Sequence, residues 1–326
     1  MKRLSVMILS SVLLIATSIR GQPPTCKVRE TASIRMSLPL DISPTAGLSL
    51  VKIAVDEVGN IYASFSVRDG TRGERAYLLK SDPMGRILWL LPLESPFGEN
   101  TKAAHVSSLH YHSGRIYLSA LWYGLQWRNQ ILVFDTLGKL EHVFTPDGFY
   151  AYHILSCSDD TIYAAGTRGG TDFMIFKISR SGEITPFVTD VEGALFGRIS
   201  PTHPQIAMDG KGRILSLLPD GALRIFDHKG SPIRTLSGDQ RFDDIIGWKD
   251  GMILARRVDV HTQQRSLAIF NERGEHLCGV EVMGRLSPMV RGPDGYFYGY
   301  GVIGVRPGSP QRELLIAKFK IDQPSN

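Results

Sequence analysis

Histidines that recur along the chain are the residues best suited to do chemistry. His105, His153 and His203 follow one another at nearly equal intervals, and Asp243 and Asp244 come after a similar gap. Neutral imidazoles and a carboxylate that converge on one point can hold a divalent metal ion, which can then activate water or polarise a carbonyl group. His105, His153, His203 and Asp244 are therefore the candidate metal site. The alternative is that these histidines only make hydrogen bonds near strand ends.

Arginines and aromatic residues form a second candidate site. Arginine grips carboxylate or phosphate groups with paired hydrogen bonds, and aromatic rings offer flat stacking area. The candidate ligand-binding residues are Arg68, Arg72, Trp122, Tyr123, Trp127, Arg128, Arg168, Arg257, Arg265 and Arg306. They predict a surface that binds a protein segment or an anionic or carbohydrate-like ligand. The alternative is that these loops are simply polar and that Trp122 or Trp127 covers the core.

These residues sit on a repeated sequence unit. A turn residue followed by a short apolar run occurs six times, as GNIYAS, GRIYLS, DTIYAA, GRILSL, GMILAR and GYFYGY, starting at Gly59, Gly114, Asp160, Gly212, Gly251 and Gly295. Short β-branched and aromatic runs separated by Gly, Asp or Asn turns are typical of antiparallel hairpins. A period of this length indicates a repeat architecture, and no sustained helical period is present.

Each unit contains further strands. A third run precedes a glycine turn in the first five units, at Gly85, Gly138, Gly182, Gly230 and Gly274, and a fourth run follows each turn. The fold class predicted is therefore all-β, a six-bladed β-propeller of four-stranded antiparallel blades. The loops between second and third strands carry the arginines, and they share one end of the propeller with the starts of the innermost strands. The candidate residues are therefore expected to gather at one mouth.

The last unit is expected to borrow a strand from the N-terminal segment. It ends at Ile321 after its third strand, whereas the run from Ser33 to Leu40 has no blade of its own. An open sheet edge leaves backbone groups unpaired, so residues 33–40 are predicted to close the last blade. The alternative is a leader into the first blade. The predicted organisation is an N-terminal segment over 22–47, the propeller over 48–322 and a tail over 323–326.

The blade pattern resembles the six-bladed propellers of the NHL-repeat type, including their secreted bacterial members. The resemblance covers about residues 31–322 and rests on the order of strands and turns, without an invariant motif. It implies the fold, but propellers of this type serve in ligand binding, protein scaffolding and hydrolase or lyase chemistry. The cation-binding enzymes of this group use carboxylates and an Asn around the channel, whereas the inner strands here supply one or two acids and no Asn. The lyases need a His/Glu arrangement, and the chain has no HxE motif.

Aligning the units gives a register for the innermost strands. An apolar column should pack between blades: Ile53, Ser108, Ile154, Ile206, Ile245 and Met289. A polar column lies one residue earlier: Lys52, Ser107, His153, Gln205, Asp244 and Pro288. An upper column lies two residues before that: Leu50, His105, Ala151, His203, Phe242 and Leu286. The polar residues of the last two columns are expected to face a common central space.

The N-terminus predicts export. Lys2 and Arg3 precede an apolar run and then small residues, which is the order of a secretory signal, so residues 1–21 are interpreted as a signal peptide. The apolar run is too short to remain as a membrane-spanning helix. Without Lys2, Arg3 and Arg20 the formal charge falls from +5 to +2. Export and this weak charge argue against nucleic acid as a partner.

The three cysteines, Cys26, Cys157 and Cys278, do not have zinc-finger spacing. Their odd number excludes a complete set of internal disulfides. Cys157 is expected at the end of an inner strand and Cys278 on an outer strand, both as small buried apolar residues. Cys26 could bridge to a neighbour in an oxidising compartment.

The sequence therefore favours a periplasmic or extracellular binding protein, either a monomeric propeller or part of an envelope assembly. The alternative is a metal-assisted hydrolase or lyase that uses the channel histidines. A divalent metal is the cofactor that this alternative would require, and no other nucleophile or phosphate-binding motif is present.

Overall fold

The chain forms a closed ring of six blades in the computed structural model. The structure describes residues 26–38, 47–69, 73–94, 102–123, 128–156, 160–168, 172–188, 205–218, 221–236, 240–259, 264–281, 289–292, 295–303 and 313–322. These residues form six four-stranded sheets in which all neighbouring strands are antiparallel. The predicted six-bladed, all-β propeller is confirmed. The proposed signal peptide lies outside the described residues.

Blades 1 to 3 run from the innermost to the outermost strand in chain order. Blade 1 contains β2 (Gly47–Val55), β3 (Ile61–Asp69), β4 (Gly73–Ser81) and β5 (Ile87–Leu93). Blade 2 contains β6 (Lys102–His112), β7 (Arg115–Tyr123), β8 (Arg128–Asp135) and β9 (Leu140–Phe144). Blade 3 contains β10 (Phe149–Ser156), β11 (Ile162–Arg168), β12 (Asp172–Ile178) and β13 (Ile184–Val188).

Blades 4 to 6 continue the ring, and the last blade takes its outermost strand from the N-terminal segment. Blade 4 contains β14 (Gln205–Met208), β15 (Ile214–Leu217), β16 (Leu223–Phe226) and β17 (Pro232–Leu236). Blade 5 contains β18 (Gln240–Gly247), β19 (Ile253–Asp259), β20 (Arg265–Phe270) and β21 (His276–Glu281), with a short 3₁₀ turn at Lys249–Gly251. Blade 6 contains β22 (Met289–Arg291), β23 (Tyr296–Ile303), β24 (Glu313–Asp322) and β1 (Lys27–Ser37).

Ring closure by an N-terminal strand is confirmed, with a strand that starts earlier than predicted. Strand β1 pairs with β24 from Lys27 opposite Asp322 to Ser37 opposite Glu313. A bulge between Glu30 and Ala32 lets β1 follow β24 over its whole length. Residues 39 and 40 of the predicted strand lie outside the described residues.

The turns between third and fourth strands explain the repeated Asp-x-x-Gly pattern. The Asp82 carboxylate accepts hydrogen bonds from the backbone N–H groups of Met84 and Arg86, and Asp135, Asp227 and Asn271 are bonded in the same way. The glycine of each turn has a positive φ, such as 88° at Gly85. A Cβ at Gly85 would also lie 2.8 Å from the Arg35 carbonyl oxygen, so both the conformation and the space call for glycine.

The core is divided into six apolar layers, each between two neighbouring blades. The layer between blades 6 and 1 contains Met36 of β1 and Ile53 of β2, both almost fully buried. The five apolar residues of the predicted apolar column are buried in these layers. In blade 2 the predicted register is wrong by one residue: Leu109 packs between the blades, and Ser108 pairs with Ser119 as Lys52 pairs with Ser64, so Ser108 belongs to the polar column. Because the layers follow one another around the ring, every blade is held by both of its neighbours.

A disulfide joins Cys26 to Cys278, and it corrects the interpretation of Cys278 as a buried thiol. The Cα atoms of the two residues are 5.6 Å apart, within the range of such bonds. Cys278 lies on the outer strand β21, as predicted, and Cys26 directly precedes β1. The bond therefore ties the closing strand of blade 6 to blade 5. Cys157 lies outside the described residues.

Candidate functional site

A central cavity of about 920 Å³ runs along the propeller axis and is lined by the inner strands of all six blades. Four members of the predicted polar column line it, namely Lys52, His153, Gln205 and Asp244. The lining continues to the turns between first and second strands, at Glu57 and His112. We call the end of the propeller with these tight turns the turn end, and the opposite end the loop end.

The upper column does not share the cavity, because β-bulges interrupt the inner strands. The bulges lie between Ala151 and His153 in β10 and between Phe242 and Asp244 in β18, and β2 and β6 carry similar ones. A bulge inserts an unpaired residue, so the side chains on its two sides no longer follow one alternation. Ala151 and Phe242 consequently pack in the core, whereas His153 and Asp244 line the cavity.

The four predicted metal ligands are therefore only partly brought together. His105 is half-buried on β6 opposite Leu121, and it is not among the described residues that line the cavity. His203 lies outside the described residues. Within the part of the chain that the structure describes, no three His, Cys, Asp or Glu side chains are grouped closely enough to hold a metal ion. The metal site stays a prediction from the sequence.

The polar side chains around the cavity form a ladder of hydrogen bonds from blade to blade. The backbone N–H of Ile206 in blade 4 donates to Nδ1 of His153 in blade 3 (3.4 Å). The N–H of Ile245 donates to Oε1 of Gln205 (3.3 Å). The same contact joins Ile154 N–H to Ser108 Oγ at 3.1 Å and Met289 N–H to Asp244 Oδ2 at 2.7 Å. Each acceptor thus satisfies a buried donor of the next blade, which gives the polar column a structural role.

Lys52 holds the equivalent position in blade 1, but an ammonium group cannot accept a hydrogen bond. The ladder is therefore interrupted at blade 1. No described residue makes a hydrogen bond or ion pair with its Nζ. Burial lowers the pKa of Lys52 below its ordinary value, and the charge of Asp244 opposes that shift. Lys52 therefore presents an unpaired amine to the cavity.

Asp244 of blade 5 also lines the cavity, and its pKa is perturbed as well. Burial raises the pKa of its carboxyl to about 6, although Arg256 and the Met289 N–H lower it. Nη1 of Arg256 is 4.0 Å from Asp244, and its Nε pairs with Asp243. Asp244 is thus a carboxyl that can gain or lose a proton near neutral pH.

Two histidines on the cavity wall have neutral imidazole rings. Burial lowers the pKa of His153 to about 3, helped by the nearby charges of Lys52 and His110. Burial likewise lowers the pKa of His110 to about 4, helped by His112 and opposed by a hydrogen bond to the Ser156 backbone. Because Nδ1 of His153 accepts a hydrogen bond, its neutral ring carries the proton on Nε2. The predicted register missed His110 because it placed Ser108, and therefore the positions that alternate with it, between the blades, whereas both residues line the cavity.

Four of the ten predicted arginine and aromatic side chains are described, and the binding site stays a prediction. Arg128 and Arg168 are exposed at the loop end, on blades 2 and 3, and Arg257 of blade 5 is half-buried. Trp122 is only 2% exposed and packs in the layer between blades 1 and 2, so its ring cannot stack on a ligand. The side chains of Arg68, Arg72, Tyr123, Trp127, Arg265 and Arg306 are not described.

Comparison with known proteins supports the fold. No protein-family model matches the chain, and none of the curated proteins matches it in sequence. A protein of unknown function from Dyadobacter fermentans DSM 18053 is similar in structure, with a TM-score of 0.64, 11% identity, and coverage of 90% of this chain and 99% of that chain. The streptogramin B lyase structure has a TM-score of 0.50 and 12% identity over 89% of this chain and 98% of that one. Such low identities show a shared propeller and carry no activity across.

No helix among the described residues is long and apolar enough to cross a membrane.

Proposed function

We propose that this protein is an exported propeller that binds a ligand in its central cavity. The observation that carries the proposal is the cavity itself, about 920 Å³ in volume, with the unpaired Lys52 amine on its wall. Pockets of a few hundred to about 1,000 Å³ with a few convergent polar groups are typical of small-molecule sites. The ladder accounts for the acceptor atoms of His153, Gln205 and Asp244, but it leaves Lys52 without a structural role.

Other polar atoms along the wall also lack protein partners. The Ser156 hydroxyl and Nε2 of His112 are buried, line the cavity and make no hydrogen bond to the described residues. Unpaired buried polar groups are costly unless water or a ligand satisfies them. A ligand that reaches from Lys52 towards the turn end would supply partners for all three groups.

The disulfide supports the export part of the proposal. Stable disulfides are rare in reducing compartments and common in secreted and periplasmic proteins. The Cys26–Cys278 bond therefore agrees with the signal-like order of residues at the N-terminus. Both features favour a periplasmic or extracellular site of action.

The loop end is proposed as a second contact surface. Arg128 and Arg168 project from neighbouring blades, and exposed arginines suit an acidic protein segment or another anionic partner. This surface lies at the other end of the molecule from the described turn-end lining of the cavity. The two sites can therefore be tested separately.

Filling the cavity tests the proposal directly. Ala207 lines the cavity on β14, so Ala207→Phe should occupy the ligand's space. Wild-type protein isolated from the periplasm is expected to carry a small molecule in non-denaturing mass spectrometry, and Ala207→Phe should lack it. Val58→Phe is the matched control, since Val58 is 74% exposed outside the cavity. Equal occupancy of wild type and Ala207→Phe would count against binding in the cavity.

An arginine double variant tests the loop end. Arg128→Ala with Arg168→Ala should leave the cavity ligand in place and reduce the co-purification of any protein partner with the propeller. Loss of the small molecule in this variant would instead place the ligand at the loop end.

A further inference from the structure

We infer that the cavity selects an anionic ligand and that Lys52 holds its carboxylate or phosphate group. This inference rests on the proposed cavity-binding function and adds the chemical class of the ligand. It begins from the position of Lys52 in the ring. In blades 2 to 5 the corresponding site holds an acceptor for the next blade's N–H group, whereas blade 1 places a cation there.

Lys52 differs from Arg256, a buried cation near the cavity, in having no counter-ion among the described residues. Arg256 is paired with Asp243, and its guanidinium also faces Asp244. The Lys52 amine has no described group within ion-pair distance, although Asp244 is close enough to affect its pKa. Lys52 is half-buried, and an ammonium group that is partly removed from water without a counter-ion is unfavourable, so an anionic group at this point would be stabilised.

The neighbours of Lys52 on the wall are mostly donors. His153 carries its proton on Nε2, and no described residue accepts it. Together, Lys52 of blade 1 and His153 of blade 3 offer two donors to the cavity, as oxygen anions require. The Ser156 hydroxyl lies further along the same wall and is also without a partner. Among the described acids that line the cavity, Asp244 is the one whose charge acts on Lys52, and it would repel an anion unless it were protonated. Asp56, Glu57 and Asp209 line the turn end, where each already accepts a hydrogen bond.

An anion at this place should therefore bind together with protons. A negative ligand raises the pKa values of Lys52 and Asp244, so protons are taken up on binding. His153 and His110, with pKa values of about 3 and about 4, stay neutral and contribute little. The charges of Asp243 and Arg256 act on the pKa of Asp244, and His112 acts on the pKa of His110. These groups therefore change the number of protons taken up when the ligand binds. Affinity should rise as the pH falls from 8.5 to 6. A site made only of arginines would take up no protons, because arginine stays charged throughout this range.

Isothermal titration calorimetry with defined probes tests the inference. The probes are succinate, inorganic phosphate and, as a neutral comparison, glucose, each titrated into the full mature protein. Titrations at one pH in two buffers with different ionisation enthalpies report the number of protons taken up. We expect one of the two anions to bind with proton uptake and glucose not to bind. Preference for succinate or for phosphate identifies the carboxylate or the phosphate as the group recognised.

Variants of Lys52 test whether this side chain is the group that binds the anion. Lys52→Met keeps the apolar stem and should weaken anion binding by about 10- to 100-fold, the loss expected for a charge-assisted hydrogen bond. Lys52→Arg should keep measurable binding with less proton uptake. Lys229→Met changes an exposed lysine of a turn outside the cavity and should behave as wild type. Circular dichroism of each variant checks that the propeller is intact.

Two outcomes would overturn the inference. One is equal anion affinity in wild type and Lys52→Met, and the other is the absence of binding by both anions. A neutral molecule that co-purifies with wild type and is lost in Ala207→Phe would refute the anionic ligand while supporting the cavity as a binding site.

Discussion

Individual residues around the axis combine two tasks that are usually separate. His153, Gln205 and Asp244 each accept a hydrogen bond from the next blade and also line the cavity. Their chemistry is therefore constrained by the ring before any ligand is considered. Lys52 is under no such constraint, which makes it the residue of this column that can be changed with least effect on the blades.

The ladder predicts a stability cost for removing one acceptor. Gln205→Leu should destabilise the protein by about 1–3 kcal/mol, because the buried N–H of Ile245 loses its partner. Urea unfolding followed by circular dichroism measures the change. Gln205→Glu retains an acceptor oxygen and is the control. Equal stability of Gln205→Leu and wild type would show that water replaces the side chain at no cost.

The two histidines of the cavity wall, His153 and His110, predict loss of stability in acid. The pKa values of His153 and His110 are lowered to about 3 and about 4, so both rings stay neutral in the folded protein. Below pH 6.5 the unfolded chain binds protons at these rings that the native state does not, and stability falls towards pH 4. Asp244 acts in the opposite direction between pH 6 and 4, because its pKa is raised to about 6. The two histidines together lower the stability in acid by more than the single carboxyl raises it.

A conservative substitution isolates this effect. His153→Gln keeps an acceptor for the Ile206 N–H, and it should reduce the stability lost between pH 7.5 and pH 5 by roughly 1–2 kcal/mol. Asp244→Asn should steepen the loss. Denaturant melts at the two pH values measure both changes. The exposed His228→Gln is the control, and an acid response of His153→Gln like that of wild type would contradict the assignment.

At the scale of elements, the strand and turn pattern predicts far more than the site. The glycine turns fix the blades because only a residue that tolerates positive φ fits there, and Asp160 takes a φ of 59° where other blades use glycine. The polar column follows from the alternation in blades 1, 3, 4 and 5. The positions of the bulges do not follow from the sequence, because they depend on packing across blades. For that reason the alignment put Ser107 in the polar column of blade 2, where the structure has Ser108, and overlooked His110.

The closing strand predicts a second stability effect. Met36 is fully buried in the layer between blades 6 and 1, so Met36→Ala should cost about 2–5 kcal/mol. Ser33→Ala changes an exposed position of the same strand and should have little effect. Thermal unfolding compares the two. A small effect at Met36 would mean that β1 contributes little to closing the ring.

At the scale of the whole molecule, stability depends on a closed circle of layers without a single centre. The circle is joined noncovalently through β1 and covalently through Cys26–Cys278, which spans 252 residues of sequence. A cross-link over so long a segment restricts the unfolded chain strongly. Closure thus depends on the compartment in which the protein folds, because a reducing environment removes the covalent part.

This dependence gives a joint prediction for export and stability. Protein made with residues 1–21 should reach the periplasm with its leader removed and be two hydrogens lighter by mass spectrometry than the reduced form. Protein made without residues 1–21 should stay reduced in the cytoplasm and be less stable by about 2–5 kcal/mol in thermal unfolding without oxidant. The double variant Cys26→Ser with Cys278→Ser should have the lower stability in both compartments and no response to dithiothreitol. If wild type from the periplasm responds to dithiothreitol no more than this double variant, the bond makes no contribution, and the ring is held by β1 and the apolar layers alone.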